Sequence, residues 1–215
     1  MAELTLYIAN KNYSSWSFRP WIAFTARGVP FREVLVPFDF PNGNPRIKEI
    51  SPSGKVPLLR HGDLSVWESL AIVEYAAELF PEAGLWPEDP AARAVARSVS
   101  AEMVAGFRAL RNACPMNMRR RKGAIPLQEG VTADVARIEE IWHERLARSG
   151  GPFLFGDFSA ADAMFAPVVN RFEIYDLVRH ETTLAYMAAM KAHPAWKTWE
   201  VAALAEPWIV PEDEA

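Results

Sequence analysis

One cysteine in 215 residues is too few for an internal disulfide. Cys114 therefore argues against a cross-linked scaffold and fits a reducing compartment. Histidine is nearly as scarce, and His61, His143, His180 and His193 form no pair four residues apart and no Cys/His cluster, so no metal site is expected. No apolar run approaches the length that spans a bilayer. The N-terminus has no basic stretch followed by an apolar signal core. Excess positive charge is also missing: 23 basic residues face 27 acidic ones, for a net charge of −4, which argues against nucleic acid as a general partner. The expectation is a soluble, cytoplasmic protein with no nucleic-acid, membrane or metal partner.

What the chain does have is apolar material. Half of its residues are apolar and only 23% are charged, a balance that builds a filled core rather than a disordered chain. Eight tryptophans and twelve phenylalanines supply bulk for that core and for a greasy substrate cleft.

The patterning changes character once. Leu4 to Ala9 reads as a buried strand, Phe18 to Ala26 as a helix closed by Gly28, and Phe31 to Val36 as a second strand. A polar, Pro- and Gly-rich loop is expected from Pro37 to Gly54. Pro57 to Arg60 and Leu64 to Val66 flank a tight turn at His61-Gly62-Asp63, and a helix follows from Ser69 to Leu79. The prolines of Phe80 to Pro90 have linker composition. Beyond them only helical patterns remain, roughly 91–111, 131–149, 160–175, 184–192 and 194–205. The expected division is an α/β domain over 1–80, a linker over 81–90 and an all-helical domain over 91–215.

Two helix starts in the second half have local explanations. Asp89-Pro90 offers a carboxylate N-cap and a proline at the first helical position. Ser159-Ala160-Ala161-Asp162 is a capping box, so Ser159 and Asp162 are read as fold residues.

The most informative stretch is Ser53-Gly54-Lys55-Val56-Pro57-Leu58-Leu59, with Glu68-Ser69 opening the next helix. A proline entering a short strand belongs at its start or edge. A cis bond there would leave the Val56 backbone open to pair with a peptide-like ligand. Ser69, as an N-cap, would place its hydroxyl and the following amides at a positive dipole end where a carboxylate docks. Glu68 could pair with an ammonium group. The plainer reading makes Ser69 a cap and Glu68 a solvated acid; the spacing after Val56-Pro57 favours the socket for a small thiol peptide, glutathione.

These motifs, in this order and followed by Phe155-Gly156-Asp157-Phe158-Ser159-Ala160-Ala161-Asp162, resemble the soluble glutathione S-transferase superfamily over nearly the whole chain. Tyr13-Ser14-Ser15-Trp16-Ser17-Phe18-Arg19 resembles the Ser-Ser-Cys-x-Trp-Arg signature of its zeta class, departing at Trp16 and Phe18. The resemblance implies a thioredoxin-like N-terminal domain, an all-helical C-terminal domain, a homodimer, and glutathione as co-substrate. It also implies that Val56 pairs with the cysteinyl part, that Pro57 is cis, and that Glu68 and Ser69 hold the γ-glutamyl group. Lys55 is a candidate for the glycyl carboxylate.

A thiol has a reference pKa of about 8.5, so little of it is thiolate near neutrality. Lowering it by about two units requires roughly 2.7 kcal/mol of preferential interaction with the anion, which a serine hydroxyl and helix-start amides can supply. Ser14 is the first candidate, by alignment with the first serine of the zeta signature, and Ser15 the second; both also read as ordinary cap or loop serines. With no cysteine at positions 14 to 17, disulfide-cycling chemistry is disfavoured. The expected activity is a serine-type glutathione transferase. The alternatives are cis–trans isomerisation of the maleylacetoacetate type, peroxidase activity, or a non-catalytic glutathione-fold binder.

Other residues carry weaker expectations. Cys114 reads as a small buried hydrophobe, and Tyr7 as a strand tyrosine placed too early for thiol activation. Arg119-Arg120-Arg121-Lys122 reads as a solvated loop or an anion-attracting patch. Met103, Phe107, Arg108 and Arg111 share one helical neighbourhood, where either arginine could meet a substrate carboxylate.

Overall fold

The computed structural model describes residues 3–214. Strand β1 (Leu4–Ile8), helix α1 (Ser15–Arg27) and strand β2 (Arg32–Leu35) come first, then helix α2 (Pro45–Ile50). Strands β3 (Leu58–His61) and β4 (Leu64–Trp67) and helix α3 (Ser69–Leu79) complete this half. The sheet order is β2-β1-β3-β4, with β1 parallel to β2 and antiparallel to β3. A parallel pair needs a crossover, and α1 provides it. Leu6 of β1 lies opposite Leu59 of β3, and Leu59 opposite Val66 of β4, so the apolar positions stack in register. The tight turn falls at Gly62, whose φ of 59° suits glycine.

From Pro90 onward the described chain is helical: α4 (Pro90–Ala105), α5 (Arg108–Ala113), α6 (Val131–Ser149), α7 (Ala160–Ile174), α8 (Glu181–Ala192) and α9 (Pro194–Leu204). This is the thioredoxin-like sheet layer plus helical half that the motifs imply. Helix α7 runs through the centre with nearly every residue buried; it packs on α1 from the sheet-bearing half and on α4. Phe18 of α1 stacks on Trp199 of α9 at 4.7 Å, so one apolar core joins both halves. Among the described residues, no helix is long and apolar enough to cross a membrane.

Three local expectations need correction. The loop after β2 contains a helix, α2, begun by Pro45 at its first position. The helix expected over 91–111 breaks at Gly106-Phe107, where Phe107 takes a left-handed φ of 54°. Ser69 is the first helical residue of α3, and Glu68, with φ 67°, is its N-cap. The capping box is present as expected: both Asp162 carboxylate oxygens accept, one from the N–H and hydroxyl of Ser159, the other from the N–H of Leu154 and the hydroxyl of Tyr186.

Candidate active site

The loop between β1 and α1 is held from several directions. Ser17 Oγ accepts from the N–H of Ala9 at 3.1 Å, and Trp199 Nε1 donates to the Lys11 carbonyl at 3.0 Å. Ser14 is the N-cap of α1, its Oγ accepting from Ser17 N–H at 3.4 Å and donating to Ser17 Oγ at 2.7 Å. Its proton is thus used inside the protein. Ser15, one step along and less buried, has no hydrogen bond to its hydroxyl among the described residues; only its backbone is engaged.

Ser14 and Ser15 line a cavity of about 390 Å³ that also reaches Trp16, Lys55, Val56 and Arg171. A smaller cleft of about 140 Å³ adjoins it, lined by Pro57, Glu68 and Ser69 together with Trp16, Lys55 and Val56. All seven residues expected from sequence therefore border one or other of two neighbouring spaces, which share Trp16, Lys55 and Val56 as lining. The Val56–Pro57 bond is cis. Ser69 is 2% exposed and its Oγ has no hydrogen-bond partner, an expensive state for a buried hydroxyl. The left-handed φ of Glu68 beside it is the sort of backbone strain that clusters at ligand sites.

The far wall of the larger cavity is cationic. Two guanidinium groups lie near the Trp16 ring, Arg19 at 4.3 Å and Arg111 at 5.2 Å from its centroid. Arg19 is fully buried, donating to the carbonyls of Ser15 and Met164. Arg171, 4% exposed, donates through Nε to the Cys114 carbonyl at 2.7 Å. Burial, then mutual repulsion, lowers the basicity of this cluster: Arg19 falls well below the usual arginine value and Arg171 falls to about 10. Arg19 Nη2 and Arg171 Nη1 are buried without a partner.

Of the two arginines proposed on one helical face, Arg111 lines the cavity and Arg108 does not. Met103 and Phe107 are core residues, 0% and 6% exposed. Cys114 is fully buried, and burial pushes its thiol pKa up. Tyr7 lies under the Arg60 guanidinium, outside both spaces. The basic run is structural in part: Arg119 donates to the Tyr13 hydroxyl and to the carbonyls of Glu206 and Trp208, and Lys122 pairs with Asp176. Sequence reasoning missed Arg171 and Asp213, both lining the cavity. An arginine within the otherwise apolar run of α7 was a signal for the first. Asp213 offered none, because its position depends on contacts far away in sequence.

Residues 13–79 match the family profile described as glutathione S-transferase, N-terminal domain, and residues 125–200 match that described as glutathione S-transferase, C-terminal domain. Together these spans cover more than half of the chain.

The chain belongs to the glutathione S-transferase superfamily.

Within that superfamily it is similar to a probable maleylacetoacetate isomerase of Caenorhabditis elegans, at 30% identity over 84% of this chain and 89% of that one. It is also similar to the maleylacetoacetate isomerase of Rattus norvegicus, at 29% identity over 84% and 88%; both relatives agree with the zeta-like reading. Among solved glutathione transferase homologs, one from Sulfitobacter with bound glutathione is 27% identical, with a TM-score of 0.69 over 92% of this chain and 97% of that one. Another from Burkholderia, 21% identical with a TM-score of 0.73 over 96% and 100%, shares the fold.

Proposed function

We propose that this transferase-fold protein binds glutathione in the smaller cleft and adds its sulfur to an electrophilic carbon in the larger cavity. The observation that carries this reading is the junction of the two spaces at Val56. A tripeptide seated there would extend its γ-glutamyl end toward Glu68 and Ser69 and its sulfur toward the serine loop. The partnerless Ser69 hydroxyl and the start of α3 would receive the α-carboxylate, and Glu68 the ammonium. The backbone of Val56 would pair with the cysteinyl unit, held by cis Pro57, while Lys55 would take the glycyl carboxylate. The bound glutathione of the Sulfitobacter homolog supports the same ligand class here.

Ser15 is the better-placed thiol partner, since its hydroxyl is uncommitted while that of Ser14 is bonded to Ser17. Ser14 would then hold the helix start at which sulfur accepts. The arginine cluster adds a positive field that favours thiolate over thiol. Activation of this kind supplies addition and displacement chemistry through positioning and electrostatics.

A second reading draws on the relatives named maleylacetoacetate isomerase. The thiolate would add to an activated cis double bond, the new single bond would rotate, and glutathione would leave. Homodimerisation belongs to the proposal on either reading. Calorimetric titration with glutathione, followed by conjugation assays on an aryl chloride and isomerisation assays on a maleyl-type diacid, tests both. Saturable binding with turnover supports the enzyme, binding without turnover on either substrate leaves a binder, and the absence of binding defeats the proposal.

A further inference from the structure

The cavity beside the serine loop contains one carboxylic acid among its described lining residues, Asp213. It sits in the short turn Pro211–Asp213, which folds back over the site from the C-terminal side. The turn is pinned at both ends. Asp213 N–H donates to the Val210 carbonyl at 3.0 Å, and Asn117 Nδ2 donates to the Asp213 carbonyl at 3.4 Å. Next along, the Glu214 carboxylate accepts from Asn117 Nδ2 and from the hydroxyl of Tyr13, the residue immediately before the two serines. The turn is thereby tied to Asn117 and, through Glu214, to Tyr13, and among the described residues the Asp213 carboxyl takes part in no hydrogen bond or ion pair.

The surroundings suit a proton donor. Arg171 of α7, Arg111 of α5 and Tyr13 of the loop line the same cavity, and the Arg171 charge acts on the Asp213 carboxyl. Glu212 and Glu214 flank it on its own turn. Arg171, at about 10, gives up no proton near neutrality, and the Tyr13 hydroxyl is engaged with Glu214. Burial pushes the Asp213 carboxyl up to about 6; Arg171 opposes this, and Glu212 and Glu214 add to it. A carboxyl titrating near the working pH is well matched to proton transfer.

We infer that Asp213 is the proton donor that completes addition of the bound thiolate to an activated alkene, an inference that rests on the transferase reading above. The step balances. A sulfur lone pair forms the C–S bond, and the alkene π pair moves to the adjacent carbon and its carbonyl. The O–H bond of Asp213 then breaks and its proton is delivered to that carbon. The carboxylate regains a proton from solvent, which received one when the thiol ionised. Displacement of chloride from an aryl ring forms no C–H bond and has no need of this donor.

The test compares wild type, Asp213→Asn and Asp213→Glu on an α,β-unsaturated ketone and on an aryl chloride, with glutathione affinity measured by calorimetry. The expected result is that Asp213→Asn lowers the ratio of ketone to aryl chloride kcat at least tenfold while the glutathione Kd stays within about twofold. Wild-type ketone turnover should also fall as pH rises through about 6, as Asp213 loses its proton, and Asp213→Asn should lack that limb. Asp213→Glu should restore part of the ratio. An unchanged ratio, or parallel loss on both substrates with weakened glutathione binding, overturns the assignment. Wild type that fails to bind glutathione overturns the transferase reading and this inference with it. Wild type that binds glutathione and displaces chloride, with a ketone rate indifferent to Asp213, overturns the inference alone.

Discussion

The carboxylate of Glu206 accepts the backbone N–H of Lys11 at 2.6 Å, across 195 residues of sequence. Its second oxygen accepts from the N–H of Asn12 at 3.1 Å. The segment after α9 thus fastens the loop that carries the serines, and burial holds the Glu206 pKa above the usual carboxylate range against the pull of the two amides. Glu206→Gln keeps one acceptor oxygen and turns an NH₂ toward the other amide. Leaving one buried amide unmet should cost on the order of 1–3 kcal/mol. Urea unfolding measures it; a variant as stable as wild type would show that the loop does not depend on this grip.

The two serines should separate by function. Ser14→Ala removes the α1 cap and should lower stability by about 1 kcal/mol. Ser15→Ala should leave stability nearly unchanged yet raise the pKa of bound glutathione toward its solution value, with turnover at neutral pH falling tenfold or more. Thiolate absorbance of the complex, followed against pH, reads this directly. An unshifted thiol pKa in Ser15→Ala would remove that hydroxyl from thiol activation.

Ser69→Ala offers an unusual pairing of effects. Because the hydroxyl is buried without a partner, removing it should raise the stability of the ligand-free protein by on the order of 1 kcal/mol. If the hydroxyl instead serves a ligand carboxylate, glutathione affinity should fall about tenfold, a loss of about 1.4 kcal/mol. Calorimetry and thermal unfolding on the same preparation decide it; equal affinity in the variant would count against the ligand role.

Asp162 has a stability signature with a defined sign. Burial raises its pKa to about 6, although four donated hydrogen bonds pull the other way. A carboxyl whose folded pKa lies above its unfolded value near 4 favours folding while protonated, and that contribution disappears as pH rises through about 6. The stability gap between wild type and Asp162→Ala should therefore be widest near pH 4 and narrow by on the order of 3 kcal/mol by pH 7. It should stay positive throughout, because the alanine leaves the amides of Leu154 and Ser159 and the Tyr186 hydroxyl without their acceptor. Denaturant titrations across that range check both statements, and a gap that widens with pH would refute the assignment.

The features readable from sequence were those with local causes. Gly62 in a hairpin, Pro90 behind Asp89, and the Ser159–Asp162 box each act within four residues, so their elements appeared where expected. The Val56-Pro57 and Glu68-Ser69 pairs were legible because each is a pair of sequence neighbours, and the structure brings both pairs to the smaller cleft. The break at Phe107 was not, because a phenylalanine at φ 54° has no local signature and is stabilised by its burial in the core. The cationic wall was hidden for a related reason. Arg111 and Arg171 come from two helices and reach the cavity only after α5 and α7 have packed, with Arg19 of α1 buried behind Trp16, and Asp213 joins them on a turn tied to Asn117.

Arg19 bolts the carbonyl of Ser15 to the carbonyl of Met164. Sliding α1 over α7 would pull a fully buried guanidinium away from both carbonyls, so this pair of bonds resists movement of one half against the other. If the halves stay fixed, a reactant would enter the cavity past smaller parts that line it, such as the Lys55 side chain or the Pro211–Asp213 turn.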